Sequence, residues 1–497
     1  MISVVLASTY ELGRQPFGLA SPAAWLRQEG ASVSVFDLSR QPFQEEHFRD
    51  ADLIGFYVPM HTATRLAVKL LRRVRLANPG AHVCFFGLYA PVNEAYLRKL
   101  GAETILGGEF EDALVSLARR LATEKRQRGE ASASANGQNK VTPASGELVQ
   151  ISQNEPLISL ARLKFKVPDR TGLPSLKTYA RLVVGGETRT VGYTEATRGC
   201  KHTCRHCPIV PVYEGSFRVV QPEIVLEDIR RQVDAGAQHI TFGDPDFFNG
   251  PTHALRIATA LHRDFPTLTY DVTIKVEHLV KEAEHLPTLR DTGCLFVTSA
   301  VESVDPTILE AFDKRHTREE FTRVVQRFRE IRLAFNPTFV TFTPWTTLVN
   351  YLDLLKVIAD LDLIDSVAPI QYAIRLLIPA GSKLLDLEEV RNLVGEFDEE
   401  ALSYPWVHQD PLVDELHRCV LAMVEKMQAA QSNRREIFSR VWRLATAALE
   451  HATMWKLKFA DSTGVDASKN LGERSGEQLV AAAGGKEAPH LTENWYC

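Results

Sequence analysis

Cys200, Cys204 and Cys207 lie within eight residues of one another and make up three of the chain's seven cysteines. The CxxxCxxC spacing lets one loop point three sulfurs at a single point, and thiolates gathered in that way bind soft metal. An iron-sulfur cluster normally takes four cysteines. A three-cysteine loop therefore leaves one iron with an open position, where a substrate or cofactor can coordinate. Two other uses stay open on spacing alone. A structural zinc site wants four ligands, and His202 or His206 could supply the fourth. A disulfide beside a free thiol would suit an oxidising compartment, but residues 1–8 (MISVVLAS) have neither the basic start nor the long apolar core of a secretory signal.

Further along, polar groups fall where strands should end. Gly243-Asp244-Pro245-Asp246 closes an apolar run at residues 239–242. Its glycine lets a ligand approach the backbone, and its acceptors could bind an ammonium group, although Asp-Pro-Asp is also ordinary turn chemistry. Glu302, after residues 295–300, could accept hydrogen bonds from hydroxyls or an amine, or cap the helix that starts near Asp305. Arg375, near the end of residues 370–377, could pair bidentately with a carboxylate or lie solvated. Lys275 sits in an otherwise apolar strand and needs a partner. The isolated Cys84, Cys294 and Cys419 read as small buried hydrophobes.

The elements that must position these groups follow from hydrophobic periodicity. Residues 1–121 alternate five short apolar runs, at 2–7, 33–36, 53–58, 82–86 and 103–106, with helical patterns, of which residues 62–76 give the clearest. Five such units make a doubly wound α/β domain of flavodoxin-like order, with a ligand crevice beyond the carboxyl ends of the strands. Residues 122–150 lose apolar periodicity and read as a flexible linker, and residues 151–191 as a bridging segment with a strand at 162–167. From 192 to 390 strands are expected at 192–196, 239–242, 269–276, 295–300, 339–343 and 370–377. Helices are expected at 222–235, 253–264, 281–292, 305–312, 318–334 and 348–362. Six βα units fall short of the eight of a closed barrel. Residues 391–455 read as a helical region, in which the heptad-like apolar spacing of 412–451 suggests a helical hairpin packing over the barrel mouth or a neighbour. Residues 456–497 read as a disordered tail.

The run from Gly192 to Cys200 (GYTEATRGC), the three-cysteine loop and Gly243-Asp244-Pro245 together resemble the radical SAM superfamily. That resemblance implies a partial (β/α)6 barrel. In it Cys200, Cys204 and Cys207 hold a [4Fe-4S] cluster, and S-adenosylmethionine chelates the fourth iron through its amino and carboxylate groups. It further implies that Gly243 and Asp244 receive the methionyl amine, with Glu302 and Arg375 as further orienting residues, and that a flavodoxin or ferredoxin type of donor supplies electrons. His206 departs from the aromatic residue often found before the last cysteine.

The first domain is similar to the cobalamin-binding domain placed ahead of many radical SAM cores, with Gly107-Gly108-Glu109 at the position of its glycine-rich turn. Residues 8–18 lack the D-x-H-x-x-G segment that carries an axial histidine in many cobalamin proteins, and His61 is the one nearby imidazole. The resemblance thus implies either cobalamin held without a histidine ligand or a domain kept for substrate docking. Residues 8–18 and the closing Leu491-Thr492-Glu493-Asn494-Trp495-Tyr496-Cys497 are similar to the CUAEP/CCAEP-tail radical SAM proteins. In those proteins a selenocysteine or cysteine follows, so the resemblance implies residues beyond Cys497 behind a UGA codon. A tether carrying an aromatic pair and a thiol could reach back into the active site, which makes Cys497 a candidate catalytic residue.

The composition, 45% hydrophobic and 24% charged over 497 residues, is that of a globular protein. A net charge of -5 gives no basic surface for nucleic acid. No apolar run approaches the ~18 residues of a membrane span, and an oxygen-sensitive cluster suits a cytoplasmic home. The activity that the resemblance implies is reductive cleavage of S-adenosylmethionine to modify a small molecule by transfer of a methyl or other group, with cobalamin as carrier or without it. Its rivals are cobalamin-independent transfer of a derived group to a thiol-held soft element such as arsenic, a tRNA-modifying enzyme, and a non-catalytic zinc or redox sensor.

Overall fold

The computed structural model describes residues 1–135, 155–460 and 488–493. Its first unit runs β1 (Ser3–Ser8), α1 (Phe17–Gln28), β2 (Ser32–Asp37), β3 (Leu53–Tyr57), α2 (His61–Ala77), β4 (His82–Phe86), α3 (Tyr89–Val92), α4 (Glu94–Lys99), β5 (Thr104–Gly108), α5 (Glu111–Ala135) and β6 (Ile158–Ser159). The strand order β2-β1-β3-β4-β5-β6 is parallel throughout. Every residue of β3 and β5 is buried, as expected for strands covered on both faces. Two apolar cores lie on the two sides of the sheet, one around Leu19, Leu26 and Leu114, the other around Phe56, Leu71 and Phe85.

The second unit begins with the antiparallel hairpin β7 (Arg181–Val184) and β8 (Glu187–Thr194). It continues through β9 (Thr197–Gly199), α6 (Val210–Tyr213), β10 (Phe217–Val219), α7 (Pro222–Asp234), β11 (His239–Phe242), α8 (Pro251–Asp264), β12 (Thr269–Thr273), α9 (Val276–Lys281) and α10 (Leu286–Asp291). There follow β13 (Cys294–Glu302), α11 (Pro306–Ala311), α12 (Arg318–Glu330), β14 (Ala334–Phe339), α13 (Leu348–Asp360), α14 (Glu388–Leu393), α15 (Pro411–Ala429), α16 (Arg434–Ala460) and β15 (His490–Leu491). The sheet order is β14-β13-β12-β11-β8-β7-β15, with β8 and β11 to β14 parallel. Helices cover the outer face, and Thr317 and Thr347 start α12 and α13 with reciprocal capping boxes.

Several expectations are corrected. The helix expected to give way to a linker at residue 122 continues to Ala135. Residues 162–167 form no strand; the chain joins the first sheet earlier, through the short β6. The expected strand at 192–196 starts at Glu187, and the one at 269–276 stops at Thr273, before α9. The single helix expected over 281–292 is two, α9 and α10. A left-handed Arg332 (φ 56°) ends α12 early and lets β14 start at Ala334 rather than 339. Pro337 is tolerated there because β14 is the sheet edge.

Residues 370–377 are a 3-10 turn and a single bridge, Phe342 with Arg375, rather than a sixth strand. The Gln371 side chain stands in for strand pairing by accepting from the Phe339 backbone N–H at 2.8 Å. The expected helical hairpin over 412–451 is present as α15 and α16, which turn between Ala429 and Arg434 and pack on α13 and the 3-10 turn, sharing the barrel core through Val420, Phe438 and Val441. Cys84 and Cys294 are buried as expected, but Cys419 is exposed, on the outer face of α15. In the tail, α16 runs on to Ala460 and residues 488–493 return to the barrel sheet as β15.

Candidate active site

The cysteine loop follows β9, which pairs antiparallel with β10 as a two-stranded arm outside the main sheet. Gly199 (φ 74°) makes the turn into the loop, and a Cβ there would meet the Tyr213 ring at 2.3 Å and the Ser216 carbonyl at 2.6 Å. Asn249 holds both sides of the turn, donating to the Gly199 carbonyl and accepting from the Lys201 N–H. On the far side Arg205 ties the loop to the end of α11, its N–H donating to the Phe312 carbonyl and its guanidinium to those of Glu310 and Ala311. Cys204 is buried and Cys200 and Cys207 are nearly so. Burial pushes the Cys200 and Cys207 thiols up to about 12, and neighbouring loop cysteines add to the rise. Ionising these two thiols in the loop calls for a nearby cation, which is the donor chemistry of a metal cluster.

Both histidines of the loop are already engaged. His202 faces Asp246 at 3.4 Å and Glu277 at 3.5 Å, and the same Asp246 oxygen lies 2.7 Å from His278 Nδ1. The ligand atoms of His202, Asp246 and His278 come within 4.8 Å of one another, so they could hold a cation. Asp246 also accepts from the Phe248 and Lys275 backbone N–H groups. As built it is a hub that fastens the cysteine loop to the ends of β11 and β12. His206 stacks on Phe312 (4.3 Å) and reaches Glu302 at 3.2 Å.

Gly243 and Asp244 lie at the end of β11, beside the turn between β8 and β9. A Cβ on Gly243 would fall 1.8 Å from the Tyr193 hydroxyl, so the glycine makes room for a tyrosine of this chain. Asp244 is buried and accepts from the Ala196 N–H (2.9 Å) and the Thr197 hydroxyl (2.6 Å). Burial raises its carboxyl to about 7 against those hydrogen bonds. Glu302 ends β13 in a left-handed conformation (φ 67°). The cap of α11 is Asp305, not Glu302. Burial would raise Glu302, but the Lys314 charge and hydrogen bonds from His206 and Lys314 hold it at about 2. Arg375 binds Asp414 (2.6 Å) and the Trp406 carbonyl (3.0 Å) and lies 3.7 Å over the Trp406 ring. The carboxylate it pairs with in this structure thus belongs to α15. Lys275 finds its partner in Glu277, at 3.1 Å. Cys497 lies outside the described residues.

A cavity of about 470 Å³ separates the two sheets and is lined from both. From the first unit come Glu11, Tyr57, Met60, His61, Leu88 and Phe110, and from the barrel Tyr193, Cys207, Asp244, Glu302, Thr338 and Arg375. Gly18, Gly87 and Gly108 line the first unit's wall, where they make room for neighbours of this chain: a Cβ on Gly18 would strike the Tyr57 ring at 2.1 Å, and one on Gly108 the Ser159 carbonyl at 2.2 Å. His61 begins α2 and its Nε2 is bonded to the Ala401 carbonyl. Burial, reinforced by the Glu195 charge, pushes the Glu11 carboxyl well above its ordinary range.

The interface between the units is stitched by Arg198. Its buried guanidinium meets Glu111 (2.7 Å), Glu195 (2.8 Å) and Glu109 (3.2 Å) and lies against Phe17, Phe110 and Phe165. Tyr213 donates to Glu109 and Ser21 to Glu111. Sequence reading placed Glu109 in a glycine-rich turn and Arg198 in the run before the cysteines without joining them. Their one sequence signal was a charged residue inside each of two otherwise apolar or glycine-rich stretches.

Residues 194–355 match the family model of the Radical SAM superfamily. Hopanoid C-3 methylase of Methylococcus capsulatus is 27% identical over 140 residues, 28% of this chain and 27% of that protein. Bacteriochlorophyllide d C-8(2)-methyltransferase of Chlorobaculum tepidum is 25% identical over 193 residues, 35% of this chain and 42% of that one. The chain thus spans less than half the length of these curated relatives. Among solved structures, the cobalamin-dependent S-adenosylmethionine radical enzyme OxsB with aqua-cobalamin and S-adenosylmethionine bound has a TM-score of 0.68 at 13% identity, covering 96% of this chain and 78% of its own. The radical S-adenosylmethionine methyltransferase TsrM of Kitasatospora setae, with cobalamin and a [4Fe-4S] cluster bound, has a TM-score of 0.53 at 17% identity, covering 73% and 71%. At these identities the likeness is one of fold. That fold is an α/β unit followed by a partial radical SAM barrel.

Proposed function

We propose that this chain, an enzyme carrying a radical SAM domain over residues 194–355, uses a [4Fe-4S] cluster, S-adenosylmethionine and cobalamin to transfer a methyl or other S-adenosylmethionine-derived group to a small molecule. The observation that carries the reading is one cavity walled by the carboxyl-end loops of both sheets, with Cys207 on one side and Gly18, Gly87 and Gly108 on the other. Two cofactors held on opposite walls would meet there, and its volume is that of a cofactor site. When bound, the cluster supplies the electron that splits the sulfonium, and cobalamin supplies a carrier for the methyl group.

The chain's own part is to bind and orient. Cys200, Cys204 and Cys207 hold the cluster, and Asp246, Asn249 and Arg205 keep their loop in place. The Gly243-Asp244 turn and the ionised Glu302 present acceptors to the methionyl amine and the ribose hydroxyls. Arg375 forms the far wall with the guanidinium edge that Asp414 and Trp406 leave. Cobalamin would sit against the glycine-lined wall without a histidine ligand, because His61 is engaged by Ala401. Methyl transfer is favoured by the similarity to the hopanoid and bacteriochlorophyllide methylases. A one-electron protein donor of flavodoxin or ferredoxin type completes the system.

The test is anaerobic reconstitution with iron, sulfide and aquacobalamin, followed by spectra of the washed protein and product analysis with S-adenosylmethionine and a reductant. Retained corrin absorbance with formation of 5'-deoxyadenosine supports the reading. Protein that keeps iron and sulfide but no corrin, and releases methylthioadenosine, overturns its cobalamin half in favour of cobalamin-independent group transfer.

A further inference from the structure

The hub at Asp246 holds more donor atoms than hydrogen bonding uses. His202 comes from the cysteine loop, Asp246 from the turn after β11 and His278 from α9, so three separate segments meet there. Their side chains are 6%, 1% and 2% exposed, and the two imidazole centroids lie 4.5 Å apart. His202 Nε2 and His278 Nδ1 approach the same Asp246 oxygen, at 3.4 and 2.7 Å. Neither nitrogen makes a hydrogen bond among the described residues. Buried polar atoms of a folded protein nearly always have a partner, and two orphans facing one carboxylate call for a shared one.

The spacing suits a single ion. Donors about 2.0–2.2 Å from one zinc in a tetrahedron lie roughly 3.2–3.6 Å from each other, and the ligand atoms of these three residues fall within 4.8 Å. The other Asp246 oxygen is fixed by the Phe248 N–H at 2.9 Å, which sets the carboxylate plane. Glu277 lies 3.5 Å from His202 Nδ1, the ring nitrogen not used, where a carboxylate orients a ligating imidazole. Glu277 also pairs with Lys275 at 3.1 Å, which offsets that ammonium.

We propose that His202, Asp246 and His278 hold a divalent ion of the zinc class, which bolts the cysteine loop to α9 and the turn after β11. Two imidazoles and a carboxylate are a donor set for such an ion, with water completing four-coordination. None of the donors is a cysteine. The site is therefore distinct from the cluster that the three thiols would hold, and either can form without the other.

The experiment uses the full chain with Cys200, Cys204 and Cys207 all changed to alanine, so that the loop thiols cannot take the ion, and titrates it with cobalt(II) as an optical probe for zinc. One equivalent should bind, with the visible bands of four-coordinate nitrogen and oxygen ligation and no thiolate charge-transfer absorbance, and zinc should displace it. His202→Gln and His278→Gln should each weaken binding at least about tenfold, and His285→Gln, on the following turn, should leave it unchanged. Zinc should also slow hydrogen exchange across residues 200–207. With the cysteines intact and the chain reconstituted anaerobically in the presence of zinc, one zinc should remain beside the iron and be lost in His278→Gln. Absence of that zinc, cobalt bound through thiolate, or binding unaltered in both histidine variants overturns the site. Binding that leaves exchange in the loop unchanged overturns its fastening role.

Discussion

At the scale of single residues the decisive groups are the three sulfurs and the turn beside them. Replacing Cys200, Cys204 or Cys207 with alanine should abolish retained iron and acid-labile sulfide after anaerobic reconstitution while leaving the far-ultraviolet circular dichroism unchanged. Their spacing was legible because ligands on one loop need no tertiary structure to be recognised. The reason for Gly243 was not, since its neighbour Tyr193 lies fifty positions earlier on another strand. Gly243→Ala should overpack the Tyr193 contact and destabilise by about 1–3 kcal/mol, read as a lower urea midpoint. Gly250→Ala, where the nearest atom would be 3.7 Å away, should leave the midpoint nearly unchanged. Arg375 shows the converse. A guanidinium at a strand end looks available in sequence, and only the fold reveals that Asp414 and Trp406 hold it.

At the scale of elements, periodicity located the parallel strands and most helices because each face of these elements is buried or exposed as a unit. It failed where a side chain replaces backbone pairing, as Gln371 does for the expected sixth strand, and where one left-handed residue, Arg332, shifts a boundary. The helical pair α15 and α16 was visible as apolar spacing, but its seat on α13 was not. Phe438 is fully buried there and packs on Tyr372 at 5.6 Å. Phe438→Ala should therefore cost about 3–5 kcal/mol, measured by thermal or urea unfolding. A small loss would mean that the pair is an appendage and not part of the barrel core.

At the scale of the whole molecule, the relation of the two units depends on Arg198 and its three glutamates. Removing the cation would strand buried carboxylates, so Arg198→Met should destabilise by about 3–5 kcal/mol and make the junction of the units susceptible to limited proteolysis. Glu109 adds a pH dependence. Burial, opposed by the Arg198 charge, raises its carboxyl from 4.5 to about 7. The folded chain therefore keeps a proton in a range where the unfolded chain has released it. The stability this supplies is full below the unfolded value, falls as pH rises toward about 7, and is flat beyond. In Glu109→Gln the unfolding midpoint should lose that decline, and an unchanged profile would assign it to another group.

The sequence by itself determined what is local: a loop with three sulfurs, a doubly wound alternation, a run of βα units and the polar residues that end them. Each depends on spacing along one stretch of chain, where propensity and periodicity act. The tertiary structure alone decided how distant stretches meet. Arg198 reaches glutamates 87 and 89 positions away, and Glu493 returns to Arg40 across 453 positions. Such contacts depend on how two sheets pack against each other and which edge remains open. Those are properties of the assembled surfaces, and no single segment of the chain encodes them.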